Sequence, residues 1–144
     1  MPSVKIEVVS KRSAPLGIRL RIDVSPTGSI GPGKIGLLEH IEASGSLSQA
    51  ARELGMSYRR AWLLLDDLNH AFAEPVATSS IGGAGGGGAR LTEFGRKLIT
   101  AYRDLERSTQ AEASLRLAWL VGGAGTTPVR DSTRRSLARA IAKR

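Results

Sequence analysis

The chain has 144 residues, 21 of them lysine or arginine against 13 aspartate or glutamate, and a formal net charge of +8. One domain is expected at this length, and a hydrophobic content of 41% supports a packed core and excludes wholesale disorder. With no cysteine and two histidines, His40 and His70, the composition excludes a disulfide scaffold, thiolate chemistry and a His-rich metal site. No apolar run approaches the roughly 18 residues of a membrane span. The N-terminal MPSVKIEVVSKR has no cleavable apolar core, so a cytoplasmic protein with no membrane partner is expected.

A basic excess implies an anionic partner, and its distribution is uneven. Residues 1–33 carry net +3, residues 34–107 are neutral with nine charges of each sign, and residues 108–144 carry +5. Three regions are therefore expected: a basic N-terminal arm over 1–17, a domain over 18–121, and a basic tail over 122–144.

In chain order, VKIEVV at 4–9 is a short strand candidate. Ile18, Leu20, Ile22 and Val24 alternate with Arg19, Arg21 and Asp23, the period of a half-buried strand. Pro26, Gly28, Gly31, Pro32 and Gly33 make a turn-rich connector. From Lys34 the period is helical, with Ile35, Leu38 and Ile41 on one face and Gly45 as the stop. Ser46 and Gln49 form a capping box for a short helix with Leu47, Ala50, Ala51 and Leu54 inward, closed by Gly55.

Ser57 can cap a third helix whose inward stripe is Ala61, Trp62, Leu65, Leu68 and Phe72, ended by Pro75. Residues 75–81 are a strand candidate, GGAGGGGA at 82–89 a loop, and Arg90 with Leu91 a return strand. Thr92 can cap a final helix over 93–120, marked by Leu98, Tyr102, Leu105, Ala113, Leu117 and Leu120. At 1.5 Å per residue that helix spans roughly 40 Å. Its distal half then calls for a second subunit, and those six residues are the expected dimerisation stripe in a two-fold interface.

Three helices followed by a hairpin give a mainly α fold with a small β-hairpin wing, a winged helix-turn-helix. In such a unit the second helix of the pair enters the major groove while the first braces it. Ala51 supplies the small residue at the helix crossing, and Gly55 the sharp turn. Ser57, Tyr58, Arg59 and Arg60 open the next helix, where free backbone donors and partial positive charge suit phosphate. Arg59 and Arg60 point away from the apolar stripe and can bond guanine or clamp phosphate, and Leu63 on the same face can touch a thymine methyl. Asp66 and Asp67 are read as solvated surface further along.

Residues 45–69 (GSLSQAARELGMSYRRAWLLLDDLN), followed by residues 82–99 (GGAGGGGARLTEFGRKLI), resemble the N-terminal DNA-binding domain of the ModE family of molybdate-responsive transcriptional regulators. The pattern is matched at Gly45, Ser46, Ser48, Ala50, Ala51, Gly55, Ser57, Tyr58, Ala61 and Trp62. It continues at Gly82, Gly83, Gly85 to Gly88, Leu91, Thr92 and Gly95. The resemblance implies a LysR-like winged helix-turn-helix, dimeric through its long terminal helix, that binds a palindromic operator in double-stranded DNA. It also implies DNA contacts from Ser57, Tyr58 and Arg59, and a wing in which Gly85, Gly86 and Gly87 with Arg90 reach the flanking backbone or minor groove. Ser46 joins these as an expected contact. Only 37 residues follow Arg107, without the SARN-like segment that introduces the family's Mop-type domains. A single-domain member is therefore expected, with no cofactor and no molybdate or tungstate site within one subunit. An arginine-built site across a dimer interface stays open.

Other readings of the same residues are weaker or lead elsewhere. Gly83, Gly85 and Gly88 match GxGxxG, but Ala89, Arg90 and Leu91 intervene before the next helix, and no parallel sheet is evident. Neither histidine stands at ligand or triad spacing from a carboxylate cluster, so no catalytic pair and no metal site is expected. Trp62 and Trp119 read as core or interface anchors. Two further functions remain open: a non-specific architectural DNA-binding protein acting through its basic flanks, and a protein-interaction module using the long helix.

Overall fold

The computed structural model describes residues 2–9, 16–24, 28–80 and 88–121. The alternating segment becomes β2 (Gly17–Asp23), the middle strand of a three-stranded antiparallel sheet. It pairs with β1 (Ser3–Val9) from Ser3↔Asp23 to Val9↔Gly17, and through Ile22 and Asp23 with β3 (Ser29–Ile30). Leu20 is buried while Arg19 and Arg21 are exposed, as a period of two requires. Residues 1–17, set apart as an arm by their charge, thus hold a full sheet strand; its backbone completes the hydrogen bonding of β2.

The first helix, α1 (Pro32–Ser44), starts two residues before the periodic pattern, because proline fits the first turn where its missing N–H is not needed. Ile35, Leu37, Leu38 and Ile41 are buried. Gly45 ends the helix at φ +67°, donating its amide to Ile41 O at 2.8 Å, and Gly55 takes the same left-handed φ after the next helix. Ser46 caps α2 (Leu47–Glu53), and Ser57 caps α3 (Tyr58–Ala71) by accepting the Arg60 amide at 3.1 Å. The buried alanines Ala50, Ala51 and Ala61 belong to the common core of these helices. His40 Nδ1 lies 2.7 Å from Glu53 Oε2, and Gln49 Nε2 donates to Glu53 Oε1 at 3.0 Å. The Gln49 bond first, then the one to His40, holds the Glu53 carboxyl below its ordinary range.

Trp62 departs from the expected stripe: it is 49% exposed, whereas Ala61 and Leu68 are buried and Leu64, Leu65 and Phe72 are packed against the core. At about 100° per residue, Trp62 falls outside the arc that Ala61, Leu64, Leu65 and Leu68 share.

Asn69 fixes the end of α3 to the hairpin that follows. Its Oδ1 accepts from the amides of Val76 (2.8 Å) and Ala77 (3.2 Å), and its Nδ2 donates to Ala77 O at 3.1 Å. The hairpin strands β4 (Ala77–Ser80) and β5 (Gly88–Leu91) pair antiparallel from Ala77↔Leu91 to Ser80↔Gly88. Gly85, Gly86 and Gly87 lie outside the described residues.

Thr92 caps α4 (Glu93–Arg116), accepting the Gly95 amide at 3.0 Å and donating to Pro75 O at 2.7 Å. The long helix is not continuous to residue 120. Leu117 takes a non-helical backbone, its amide closes the last bond on Ala113 O, and one further turn follows as α5 (Ala118–Val121). Along its middle, α4 packs on β2. Tyr102, 2% exposed, donates from its phenol to Leu20 O at 2.6 Å. Gln110 accepts the Ile18 amide at 3.1 Å and donates to Leu16 O.

This packing corrects the dimerisation stripe. Tyr102 is enclosed by its own subunit, and Leu98 packs against the same core. Strand β2 and the core thus occupy the Leu98–Tyr102 part of the expected stripe. Leu105 and Leu120 remain exposed, and Ala113 and Leu117 are half-buried. Across the α1–α4 seam, Arg103 bonds Glu39, and Arg96 Nε lies 2.9 Å from Glu42 Oε1; within α4, Arg103 also bonds Glu106. The Glu39 bond, with Glu106, raises Arg103 above its ordinary range and keeps it charged.

Candidate nucleic-acid interface

The Ser57 cap leaves the first turn of α3 pointing outward. Tyr58, Arg59, Arg60, Trp62 and Leu63 are all exposed there, and no acidic residue stands in that turn. The Ser57 hydroxyl accepts the Arg60 amide and still carries a proton to donate. The opening turn therefore combines the partial positive end of the helix with two guanidinium groups.

The charges on this surface differ from those on α4. Arg96, Arg103, Arg107 and Arg116 each face a carboxylate. Among the described residues, Arg59, Arg60 and Arg90 have no ion-pair partner. Arg90 stands on β5 directly opposite Thr78 of β4, and both are exposed. The residues on either side of it, Ala89 and Leu91, are buried. The hairpin thus holds its apolar face on the core and offers Arg90 outward.

An open groove of about 330 Å³ runs between α3 and this hairpin. Tyr58, Trp62 and Asp66 line one wall, and Thr78, Ser79 and Gly88 the other. Asp66 is its carboxylate; its Oδ1 lies 3.4 Å from Nδ1 of the exposed His70, which donates to the Asp66 carbonyl at 2.8 Å.

The structure leaves Ser57, Tyr58, Arg59, Arg60 and Leu63 all exposed at the start of α3, with Tyr58 and Arg60 on opposite flanks of the helix. Ser46 does not join them. It is 5% exposed, its hydroxyl accepts the Gln49 amide at 3.1 Å, and its backbone bridges to Gly88. Its burial, unlike the exposure of the other capping serine Ser57, takes it out of reach of a duplex and corrects its assignment as a DNA contact. Trp62 joins this exposed surface although its spacing suggests an inward residue; its offset of about 100° from Ala61 is the signal for that exposure. Among the described residues, no helix is long and apolar enough to cross a membrane.

No family profile matches the chain. Curated proteins resemble it, among them the three that follow. It is 36% identical over 108 residues to the molybdenum transport protein ModE of Azotobacter vinelandii, covering 73% of this chain and 40% of that protein. It is 47% identical over 77 residues to the molybdenum-pterin-binding protein MopB of Rhodobacter capsulatus, covering 54% of this chain and 28% of the relative. It is 43% identical over 82 residues to the DNA-binding transcriptional dual regulator ModE of Escherichia coli K12, covering 57% and 31%. The chain thus spans two fifths or less of the length of these relatives. Their names are those of regulators and of molybdenum transport and binding proteins.

Proposed function

The chain belongs to the ModE family, and from that premise we propose that it is a sequence-specific DNA-binding transcriptional regulator acting in molybdate-related regulation. In this reading α2, the Gly55 turn and α3 form a helix-turn-helix, the β4–β5 hairpin is its wing, and two copies bind a palindromic operator. The observation that carries it is the set of three arginines, Arg59, Arg60 and Arg90, exposed and without ion-pair partners among the described residues, while the arginines of α4 are paired. Unpaired guanidinium groups at a helix start are positioned to take phosphate or a guanine edge. Tyr58 and Ser57 supply hydroxyls to the backbone, Leu63 an apolar contact, and the wing with Gly85, Gly86 and Gly87 reaches the flanking groove. No molybdate or tungstate site is proposed within one subunit.

Dimerisation is assigned to the distal half of α4 and to α5, where Leu105, Leu115, Trp119 and Leu120 are exposed. Isolated apolar residues on a surface are ordinary, but four large ones over this stretch suit a self-complementary interface. Two subunits then place their α3 helices about one DNA turn apart.

Selection of bound duplexes from a random DNA pool tests the proposal. The expected result is enrichment of a palindrome with half-sites about 10 base pairs apart. Equal binding of selected and random duplexes, lost on deletion of residues 126–144, would replace the regulator with a non-specific architectural protein. A dimer that binds no duplex at low salt would favour a protein-interaction module.

A further inference from the structure

The flank of α3 opposite Tyr58 and Trp62 carries Arg60 and Leu64, about half a helical turn away. These two side chains form one wall of a second open groove, also about 330 Å³. Arg19 and Arg21 of β2 line it too, with Ser29 of β3 and Lys34 of α1. Among the described residues its lining includes four cations and no carboxylate. Arg21 is neutralised by Asp23, with Nε 2.9 Å from Oδ1. Lys34 donates Nζ to the Ser29 carbonyl at 2.9 Å, a neutral acceptor that orients the ammonium without cancelling its charge. Among the described side chains, Arg60 has no ion-pair partner; Arg19 stands opposite Glu7 of β1 in the strand register. Cations from a strand, the start of α1 and the start of α3 therefore converge on one groove, and Lys34 and Arg60 meet no carboxylate there.

We propose that this groove seats a backbone phosphate of duplex DNA, held by Arg19, Lys34 and Arg60, so that the N-terminal sheet extends the DNA contact beyond the helix-turn-helix. The assignment rests on the DNA-binding reading above. Arg60 is common to the first turn of α3 and to the groove, which makes the two surfaces continuous. The guanidinium groups are exposed, where one small anion is attracted weakly. A duplex carries a row of phosphates and gains by releasing its condensed counterions, so it is the occupant that the open, cation-lined shape fits. The contact is sequence-independent and fixes where the helix sits along the groove.

Affinity of the full chain for a selected and a random duplex, measured by fluorescence anisotropy across a KCl series, tests the assignment. Arg19→Ala is expected to weaken both duplexes by the same factor, about tenfold at 0.1 M salt, and to lower the log–log salt slope by about 1. Arg19→Lys should restore the slope, and the thermal midpoints of both variants should match the parent chain. If the parent binds and Arg19→Ala keeps its affinity and slope, the groove assignment fails while the DNA-binding reading stands. If the parent binds neither duplex, both fail. Loss confined to the selected duplex would make Arg19 a base-reading residue and overturn the phosphate assignment. Inorganic phosphate that raises the melting temperature of the parent, but not of Arg19→Ala, would make the groove a free-anion site and overturn the DNA assignment.

Discussion

The Tyr102 phenol donates to the backbone carbonyl of Leu20, joining the fourth helix to the central strand of the N-terminal sheet across 82 residues of sequence. Both residues are fully enclosed. The bond does two things: it satisfies a buried polar group on a long side chain, and it sets how α4 lies across β2. Tyr102→Phe keeps the ring and removes the donor, so it isolates the hydrogen bond. A loss of about 1–2 kcal/mol is expected, as for a buried acceptor deprived of its donor. Urea denaturation checks this; an unchanged midpoint would mean that ring packing alone fixes the helix.

The same burial, with a smaller contribution from the Glu106 charge, pushes the Tyr102 phenol up to about 12 from an ordinary 10. The folded state thus holds the proton more tightly than the unfolded chain. Its contribution to stability is complete below pH 10 and is lost as pH rises from 10 through about 12. In a Tyr58→Phe background, Tyr102 is the only tyrosine. Its phenolate absorbance should appear only as pH approaches 12, or earlier and together with unfolding. Ionisation near pH 10 with the fold intact would contradict the buried placement.

Gly95 and Gly36 both lie within helices but are not equivalent. A Cβ at Gly95 would stand 2.2 Å from the Val76 carbonyl oxygen, whereas one at Gly36 meets nothing within 4 Å. Gly95→Ala must separate α4 from the residue preceding β4, and a destabilisation of about 2–3 kcal/mol is expected. Gly36→Ala removes only unfolded-state freedom and should stabilise by about 0.4–1 kcal/mol. Thermal melts of the two variants, expected to move in opposite directions, check both.

Arg59→Ala separates base reading from phosphate binding. A specific loss of about 1–3 kcal/mol on the selected duplex, with random duplex little changed, marks a base contact. Equal losses on both mark a phosphate contact. Arg90→Ala is expected to weaken both equally, as befits a backbone contact from the hairpin. Arg96→Ala, which removes a charge already paired with Glu42, should leave binding unchanged.

Trp119 and Leu120 are exposed on α5, and the double variant Trp119→Glu, Leu120→Glu places charge in the proposed subunit interface without touching the core. Light scattering should show the dimer shifting to monomer, with the melting temperature of the monomer unchanged. A dimer that persists would move the interface elsewhere.

The helical elements that carry the proposed DNA contacts were legible from local signals. Ser46 and Ser57 cap helices where their sequence positions say, and Gly45 and Gly55 take the left-handed conformation that ends them. Such signals act within one turn of chain, so no distant contact is needed to read them. Trp62 and Ser46 depart from what local spacing implies because burial depends on what packs opposite. The same helical spacing suits an inward residue and one just outside the buried arc, and the same serine suits a DNA contact and a buried cap.

The sequence by itself determined the order of helices and hairpin, the exposed arginines at the start of α3 and the neutrality of the central segment, because periodicity, capping and charge are local properties. Only the tertiary structure decided that β2 packs on α4, that Tyr102 belongs to its own core and that Arg19, Lys34 and Arg60 share a groove. Those relationships join residues tens of positions apart. They follow from which surfaces exclude water together, and no pattern along a single segment records that.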